Sequence, residues 1–341
     1  MRAIVQDSYG SPAVLRARDI EKPEIGDDEV LVRVHAASIH VGDWILMTGE
    51  PYVMRFATGL CKPKNPVPGS DVAGTVEAVG KDVQGFIPGD EVFGWAAGAF
   101  AEYARATEDH FVKKPAELTF EQAAAVGVSA TTALQLLRDD GNVQPGQKVL
   151  INGASGGVGT FAVQIAKAFG AEVTGVSSTR NVDLVRSIGA DHVIDYTTED
   201  FTKGGPRYDL ILDNVGNHSM ADTRRALKTD GRLISNGGGH AGGKLGRTIR
   251  TAVVAMLVRQ QAGPSVKTQN AADLQALKSL LEAGMVTPVI GGTYPLERTR
   301  EAIEHVAQGH ARGTIVVAVA PSSSPGATAP ANALRLAGTT A

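Results

Sequence analysis

The sequence predicts an α/β protein of two domains, a β-rich one followed by a doubly wound parallel sheet. Its 341 residues are too many for one typical core, since a domain usually holds roughly 100 to 200 residues. Over about the first hundred residues, short segments of alternating apolar and polar residues are separated by glycine and proline, which is typical of strands. From about residue 118 onward, strand-like and helix-like segments alternate, which is typical of a parallel sheet covered by helices.

Periodicity gives the individual elements. Alternating apolarity at residues 29–38 and 71–80 predicts strands of the β-rich part, and helical spacing with strong helix formers predicts a helix over residues 121–137. The strands predicted after it cover residues 148–152, 171–176, 192–196, 208–215, 232–236 and 314–320, and the helices cover residues 158–169, 182–188, 221–228, 245–261, 271–284 and 297–308. The tail from residue 321 is rich in Pro, Ala, Ser and Gly, so we expect it to be mobile.

The overall composition excludes several classes of protein. A net charge of -3 with 43% hydrophobic and 20% charged residues is that of an ordinary globular protein, so we expect no nucleic-acid partner. The N-terminus does not resemble a secretory signal, and no apolar stretch approaches the roughly 18 residues that span a bilayer, so we expect a cytoplasmic protein with no membrane partner. Cys61 is the only cysteine, which excludes an intramolecular disulfide and a four-cysteine metal site.

A glycine-rich turn, G-A-S-G-G-V-G at residues 153–159, lies between a predicted strand and a predicted helix. Ala154, Gly156 and Gly159 fall on the three positions of the G-x-G-x-x-G dinucleotide fingerprint, with alanine in place of the first glycine. Such a turn can be only a turn, but the free N–H groups of the following helix favour a pyrophosphate site. The candidate cofactor-binding residues of the turn are Ala154, Ser155, Gly156, Gly157, Val158 and Gly159.

The residues that follow the second strand of this unit indicate which dinucleotide is bound. NAD-specific sites place an acidic residue there for the ribose 2′-hydroxyl, whereas this chain has Ser177, Ser178, Thr179 and Arg180. Hydroxyls and a guanidinium suit a 2′-phosphate, so NADPH is favoured over NADH. Alternatively, Ser178 or Thr179 only caps the next helix while Arg180 is solvated, and both roles can coexist.

Several longer motifs agree in pointing to one family. The sequence resembles the medium-chain dehydrogenase/reductase superfamily up to about residue 320, and within it the quinone oxidoreductase branch, which includes the enone reductases. The motifs are GSDVAGTVEAVG (69–80), FIPGDEVFG (86–94), GAFAEY (98–103), AAAVGVSATTA (123–133), VLINGASGGVG (149–159), QIAKAFGAEV (164–173) and the segment from residue 285 to 317.

The resemblance implies a domain organisation. It predicts a GroES-like β-rich catalytic domain formed by residues 1–120 and 286–320, and a Rossmann NADP-binding domain formed by residues 121–285. The cofactor cleft is expected where the two meet, and residues 321–341 are expected to form a mobile tail. A homodimer formed through edge strands of the Rossmann sheet is also implied by the family.

The resemblance also indicates that no catalytic zinc is bound. Zinc alcohol dehydrogenases of the superfamily hold their metal with a cysteine and a histidine at places that here are similar to His40 and Ser70. His40 beside Asp43 does not make a three-ligand site without further ligands, so we expect no metal. On this interpretation His40 is a residue that lines the pocket or a polar residue of the core.

The family analogy supplies the candidate catalytic residues. His40, Asp43 and Trp44 are expected to line the substrate side of the cleft, and Tyr52 is a further candidate proton donor. His40 stands where relatives often have asparagine, and it can donate a hydrogen bond or a proton near neutral pH. Asp43 can equally be a capping residue of the next helix. Without a metal, hydride transfer suits quinones and α,β-unsaturated carbonyls, whose product anions are delocalised.

Further cofactor contacts are expected along the cleft. Thr131 is expected near the nicotinamide phosphate, and Tyr196 matches a tyrosine that approaches the adenosine phosphate in relatives, although it can also be only an exposed residue at a strand end. Residues at the carboxyl ends of two other strands are expected to reach the ligand. They are Asn214, Val215, Gly216, Asn236, Gly237 and Gly238. Thr314 stands where relatives often have lysine, which predicts weaker cofactor affinity.

The sequence is therefore compatible with three functions. The first is an NADPH-dependent quinone or enone reductase whose partner is a small electrophilic substrate. The second is a metal-free alcohol or aldehyde reductase of the same superfamily. The third is a cofactor-binding protein with little turnover. The apolar residues 249–258 are expected to form a pocket wall, a lid or a subunit contact.

Overall fold

The computed structural model describes residues 1–236, 261–262, 269–309 and 311–319. The strands in these residues are β1 (Arg2–Gln6), β2 (Leu15–Asp19), β3 (Glu29–Ile39), β4 (Asp71–Val79), β5 (Glu91–Trp95), β6 (Tyr103–Thr107), β7 (Phe111–Lys113), β8 (Lys148–Asn152), β9 (Glu172–Ser177), β10 (His192–Asp195), β11 (Tyr208–Asp213), β12 (Leu227–Ser235), β13 (Gln261–Ala262), β14 (Ile290–Pro295) and β15 (Thr314–Ala318). The helices are α1 (Val41–Thr48), α2 (Arg55–Thr58), α3 (Phe120–Ala124), α4 (Gly127–Gln135), α5 (Gly157–Ala168), α6 (Val182–Ser187), α7 (Met220–Arg225), α8 (Ala271–Glu282) and α9 (Thr299–Ala307). None of these helices is long and apolar enough to cross a bilayer.

One layer of the fold is a parallel sheet. Within the described residues it has six strands in the order β10-β9-β8-β11-β12-β13, and every neighbouring pair is parallel. The strand order reverses between β8 and β11, which is the place where doubly wound sheets bind ligands. Val149, Leu150 and Ile151 of β8 are fully buried, as expected for a strand covered on both faces. The predicted doubly wound sheet is confirmed.

The other layer is the β-rich part. Its described strands form a seven-stranded sheet in the order β14-β15-β3-β4-β5-β7, with β6 also paired to β3. β15, from the far end of the chain, pairs antiparallel with β3, with Ile315 opposite Ile39. Residues from both ends of the described sequence therefore build one sheet, in agreement with the GroES-like fold that the motifs indicate. The exact domain boundaries stay a prediction.

The predicted helix over residues 121–137 is wrong as one element, because it is divided into α3 and α4. The cause is a contact with a distant residue: the Val128 N–H donates to the carboxylate of Asp71 at 3.0 Å. A Cβ on Gly127 would lie 2.3 Å from the Asp71 Cγ, so this close approach requires glycine. A residue 57 positions away along the chain thus sets the start of α4.

Two further helix predictions differ from the structure. The helix predicted over residues 221–228 ends at Arg225, because Leu227 already pairs with Tyr208 in the sheet. Of the helix predicted over residues 245–261, only Gln261 is described, and it lies in β13. The apolar segment 249–258 and the tail 321–341 lie outside the described residues.

The two sheets meet at the glycine-rich turn. The Gly313 N–H, just before β15, donates to the Ser155 carbonyl at 2.8 Å, and Gly156 forms an isolated β-bridge with Gly313. Gly313 has a φ of 70°, a left-handed conformation that favours glycine. The end of the β-rich sheet is therefore joined directly to the proposed phosphate-binding turn.

Candidate active site

The turn of residues 153–159 connects β8 to α5 and is closed by backbone hydrogen bonds. The N–H groups of Gly153 and Ala154 donate to the Val176 carbonyl at 3.2 and 3.0 Å. A Cβ on Gly159 would lie 2.0 Å from the Gly153 carbonyl oxygen, so only glycine fits where the helix approaches the turn. The turn therefore has the close contact between helix and strand that the fingerprint predicts.

Ala154 replaces the first glycine of the fingerprint, but its methyl group does not occupy the space proposed for the pyrophosphate. Its side chain is fully buried in the core, and its N–H is bonded to Val176. A Cβ on Gly175 of β9 would lie 2.4 Å from the Val185 Cγ1 and 3.0 Å from the Ala154 methyl, so glycine at 175 leaves room for both side chains. The methyl of Ala154 thus packs against β9 and not into the cleft.

The N-terminus of α5 provides free donors beside this turn. The helix begins at Gly157, and its first backbone bond joins the Thr160 N–H to the Gly156 carbonyl at 2.9 Å. The N–H groups of Gly157, Val158 and Gly159 have no carbonyl one turn earlier in the helix, and the dipole adds positive potential there. A Cβ on Gly156 would have the Gly153 carbonyl oxygen, at 3.5 Å, as its nearest neighbour, so the turn leaves open space. These features fit a pyrophosphate.

Buried hydroxyls lie near the same helix end. A Cβ on Gly157 would lie 3.3 Å from the Ser129 Oγ and 3.6 Å from the Thr314 Oγ1. Among the described residues, the hydroxyls of Thr131 and Thr314 are buried and have no hydrogen-bond partner in the protein. A buried hydroxyl without a partner costs about 1–3 kcal/mol, so these atoms fit a site completed by a polar ligand. Thr131, predicted from the sequence, and Thr314 are therefore candidates for cofactor contacts.

The residues predicted to recognise a 2′-phosphate come together in space. Ser178, Thr179, Arg180 and Tyr196 line one open cavity of about 310 Å³. Tyr196 is 51% exposed, and its N–H donates to the Ser177 carbonyl at 3.0 Å, which joins the ends of β10 and β9. Ser178 precedes a short turn and makes no side-chain cap hydrogen bond, so the capping alternative is not seen for this residue.

Ser177 occupies a different environment from its neighbours. Its side chain is buried, and its hydroxyl donates to the Ser178 carbonyl at 3.4 Å. Ser177 does not line the cavity formed by the three residues that follow it. It supports the backbone of the pocket instead.

Two residues beside this pocket were missed by sequence reasoning. Asp195 accepts hydrogen bonds from the N–H and hydroxyl of Thr197 at 3.0 and 2.8 Å. The Thr179 hydroxyl, together with the donors of Thr197, holds the pKa of Asp195 below its ordinary value. Asn181 contacts the hydroxyls of Ser155 and Ser178. The contacts of Asn181 with Ser155 and of Asp195 with Thr179 join segments that are separate in sequence, so no local motif could have revealed them.

The predicted residues at the carboxyl edge of the parallel sheet form one hydrogen-bond network. Asp213 accepts from the Asn152 side chain at 2.8 Å, from the Val215 N–H at 3.1 Å and from the Gly216 N–H at 2.8 Å. The Asn236 amide donates to the Asn214 side-chain oxygen at 2.8 Å, and Asn214 donates to the Asn152 carbonyl at 3.2 Å. The network places Asn214, Val215, Gly216 and Asn236 together at the strand ends. Gly237 and Gly238 lie outside the described residues.

His40 lies at the end of β3, where the chain turns into α1. Its Nε2 is 2.9 Å from the Ser70 Oγ and 3.5 Å from the Asp43 Oδ2, and the side chain is 14% exposed. A Cβ on Gly42 would come within 2.7 Å of the imidazole ring, so glycine at this position leaves room for the ring. His40 and Ser70, the two places compared above with zinc ligands, therefore bond to each other.

Asp43 has the capping role that the sequence left open. Its Oδ2 accepts the His40 N–H at 2.9 Å across the first turn of α1. The carboxyl is buried, and burial raises its pKa, while the nearby His40 lowers it. Asp43 therefore fixes the backbone of His40, and its Oδ2 also lies 3.5 Å from the imidazole Nε2.

Asp71 is a buried acid of the site that sequence reasoning missed. Its Oδ2 accepts the Ser38 hydroxyl at 2.8 Å, and its carboxylate accepts the Val128 N–H at 3.0 Å. Burial raises its pKa from the usual 3.8 to about 6, with His40 acting in the opposite direction. The available signal was an acid within the G-S-D segment at the start of an apolar strand. Asp71 ties β4 to the start of α4.

We expect the contribution of Asp71 to stability to decrease between about pH 4 and pH 7. Because the pKa is higher in the folded state, the stabilisation by its proton is complete below the usual 3.8 and is lost as pH rises through about 6. The difference between these values corresponds to about 3 kcal/mol. Urea unfolding of the wild type and of Asp71→Asn over this range measures it. A constant difference between the two proteins would refute the expectation.

The other two candidate catalytic residues are separate from this network. Trp44 is half-buried in α1 and packs against the core of the β-rich part. Tyr52 is 68% exposed, and its ring lies 4.6 Å from the Arg55 guanidinium. The structure thus gives Trp44 a packing contact beside the site and places Tyr52 at the surface.

In the part of the chain that the structure describes, no group of three or more His, Cys, Asp or Glu residues could hold a metal ion. Cys61 is exposed.

Comparisons with known families agree with this architecture. Residues 26–116 match the alcohol dehydrogenase GroES-like domain, and residues 188–317 match the family described as zinc-binding dehydrogenase. The first match covers β3 to β7, and the second covers β10 to β15, which includes the last two strands of the β-rich sheet.

Individual relatives cover nearly the whole chain. Quinone oxidoreductase of Homo sapiens is 34% identical over 322 residues, which cover 91% of this chain and 94% of that protein. The 2-methylene-furan-3-one reductase of Solanum lycopersicum is 32% identical over 93% of this chain and 79% of that protein. The crystal structure of Escherichia coli quinone oxidoreductase complexed with NADPH is 26% identical, covers 94% of this chain and 100% of that one, and has a TM-score of 0.78. The chain belongs to the medium-chain dehydrogenase/reductase family, in its quinone oxidoreductase branch, and is an oxidoreductase.

Proposed function

We propose that this oxidoreductase uses NADPH to reduce quinones or α,β-unsaturated carbonyl compounds and that it works without zinc. The observation that carries the proposal is the cavity lined by Ser178, Thr179, Arg180 and Tyr196, next to the helix end that fits a pyrophosphate. A 2′-phosphate and a pyrophosphate are the two features that NADPH would present to these places. The NADPH complex of the Escherichia coli relative supports the same choice.

The residues of the cleft have distinct roles in this proposal. Bound NADPH would supply a hydride from its nicotinamide ring. The N–H groups at the start of α5 bind the pyrophosphate, and Arg180 pairs with the 2′-phosphate. Near the substrate, the His40 imidazole and the Ser70 hydroxyl, 2.9 Å apart, stabilise negative charge on the carbonyl oxygen and deliver a proton to it. Asp43 holds His40 in position.

The reaction type is tested with a panel of substrates. We expect NADPH oxidation with an ortho-quinone and an enone, and much slower oxidation with a simple aldehyde or ketone. Turnover of the aldehyde alone would instead support an alcohol or aldehyde reductase. NADPH binding without turnover of any substrate would support a cofactor-binding protein. Metal analysis of the active protein tests the zinc proposal, since zinc at one equivalent per chain would refute it.

Replacement of Arg180 by alanine is expected to raise the KM for NADPH about 10- to 100-fold and to leave the KM for NADH nearly unchanged. A hydrogen bond to a charged group contributes about 1.5–3 kcal/mol, and only NADPH carries the 2′-phosphate. Steady-state kinetics with both cofactors measure the effect. Arg186→Ala is a matched control, because Arg186 is an exposed arginine of α6 that does not line the cavity. Equal losses with NADPH and NADH would contradict the assignment.

The family resemblance suggests how the protein assembles. We propose a homodimer formed through an edge of the parallel sheet, which light scattering during gel filtration would test. We also propose a cytoplasmic location, which fractionation of the source cells would test.

A further inference from the structure

Asn181 lies between the glycine-rich turn of residues 153–159, called the phosphate turn below, and the cavity that is proposed to bind the 2′-phosphate. Its side chain is 5% exposed, and its Nδ2 is 3.0 Å from the Ser155 Oγ and 3.4 Å from the Ser178 Oγ. Its N–H also donates to the Ser178 carbonyl at 2.8 Å. One buried amide therefore contacts two serine hydroxyls. Ser155 belongs to the turn that is proposed to bind the pyrophosphate, and Ser178 lines the cavity that is proposed to bind the 2′-phosphate.

The direction of these hydrogen bonds determines what the two serines can do. An amide nitrogen carries two hydrogens and only donates, so both serine oxygens act as acceptors toward Asn181. Each hydroxyl then keeps its own hydrogen for a different acceptor. Phosphate oxygens are acceptors only, and charge-assisted bonds to them are the stronger kind.

We propose that Asn181 is a positioning residue that orients the Ser155 and Ser178 hydroxyls as donors to the pyrophosphate and the 2′-phosphate. The inference rests on the proposed NADPH function and deepens it. Asn181 does not touch the cofactor itself, since its amide is occupied by the two serines. Its position makes the two phosphate contacts depend on the same side chain.

Two variants separate this role from simple packing. Asn181→Ala removes the donor, and the serine hydroxyls lose their fixed orientation. Asn181→Asp has nearly the same shape but offers only acceptors, so both hydroxyls turn toward it and away from the phosphates. We therefore expect aspartate to impair phosphate binding more than alanine does.

The experiment is isothermal titration of the full chain with 2′,5′-ADP, 5′-AMP and NADPH. We expect the wild type to bind 2′,5′-ADP more tightly than 5′-AMP. Asn181→Ala is expected to weaken 2′,5′-ADP about 10-fold and Asn181→Asp by more, whereas 5′-AMP is weakened less. In a chain that carries Ser155→Ala and Ser178→Ala, adding Asn181→Ala is expected to change NADPH affinity less than about twofold. Asn270→Ala, which removes the capping asparagine of α8, is the control for a loss of stability alone.

The outcomes distinguish the two levels of the proposal. If the wild type does not prefer 2′,5′-ADP, the NADPH function fails and the inference fails with it. If the wild type has the preference but Asn181→Ala keeps full affinity, only the inference is refuted. The inference is also refuted if Asn181→Ala lowers NADPH affinity as much in the chain with Ser155→Ala and Ser178→Ala as it does in the wild type, because Asn181 would then act by packing. An Asn181→Asp variant that binds as well as the wild type refutes it too, because Asn181 would then act as an acceptor.

Discussion

Replacement of His40 by alanine is expected to lower kcat/KM for quinones and enones about 100-fold. Hydride addition to these substrates leaves negative charge on an oxygen, and a positioned donor typically contributes about 10²-fold or more to such a step. In this chain the imidazole and the Ser70 hydroxyl are the bonded pair near the proposed substrate side, and the Asp43 Oδ2 lies 3.5 Å from the imidazole Nε2. The variant loses the larger of the two donors and leaves a cavity beside Ser70.

The measurement compares steady-state kinetics with the affinity for NADPH. We expect NADPH binding to change less than about threefold, since His40 follows β3 of the β-rich sheet, whereas the phosphates are proposed to bind at α5. His40→Asn keeps an N–H donor and is expected to lose only about 10-fold. His192→Ala, which removes an exposed histidine of β10, serves as the control. Retention of more than half of the wild-type kcat/KM by His40→Ala would show that the imidazole takes no part.

Substitution of Gly159 by alanine is expected to lower the free energy of unfolding by more than about 3 kcal/mol and to abolish tight NADPH binding. The added Cβ would lie 2.0 Å from the Gly153 carbonyl oxygen and 2.9 Å from the Ala154 carbonyl carbon. Both neighbours are backbone atoms, so the turn itself has to move, and overpacking of this kind usually costs about 1–3 kcal/mol or more. The displacement carries the N–H groups of the turn away from the pyrophosphate.

Gly157→Ala is the matched control for this prediction. It adds the same methyl group in the same helix, but the nearest atom would be the Ser129 Oγ at 3.3 Å. We expect the loss of stability to stay below about 1 kcal/mol, since a side chain can shift more easily than the backbone. Chemical denaturation of both variants, followed by NADPH titration, gives the comparison. Similar stability of the two would show that the contact at Gly159 is relieved at little cost.

Local sequence patterns were sufficient to predict the parallel sheet and the position of the glycine-rich turn. Strands such as β8 are continuous apolar runs bounded by turn residues, and Gly170 and Gly189 end α5 and α6 with φ angles of 79° and 103°. These signals depend on neighbours in sequence. The loop of Ser178, Thr179 and Arg180 was predicted as a 2′-phosphate site for the same reason.

Contacts between distant segments could not be predicted in this way. The break between α3 and α4 depends on Asp71 of β4, which binds the Val128 N–H from another part of the chain. The roles of Asn181 and Asp195 likewise depend on how the loop after β9 meets the phosphate turn and the end of β10. Even the alanine at 154 is explained only by Gly175 on the neighbouring strand.

The bond between Gly313 and Ser155 has a consequence for how the protein is made. Ser155 leaves the ribosome more than 150 residues before Gly313, so during synthesis the phosphate turn exists for a time without the N–H that holds its carbonyl. We therefore expect the turn to reach its final form only after β15 has joined the sheet that contains β3. With the proposed cofactor site, capture of the cofactor is then expected to be a late event of biosynthesis, because a nascent chain without β15 lacks one contact of the turn.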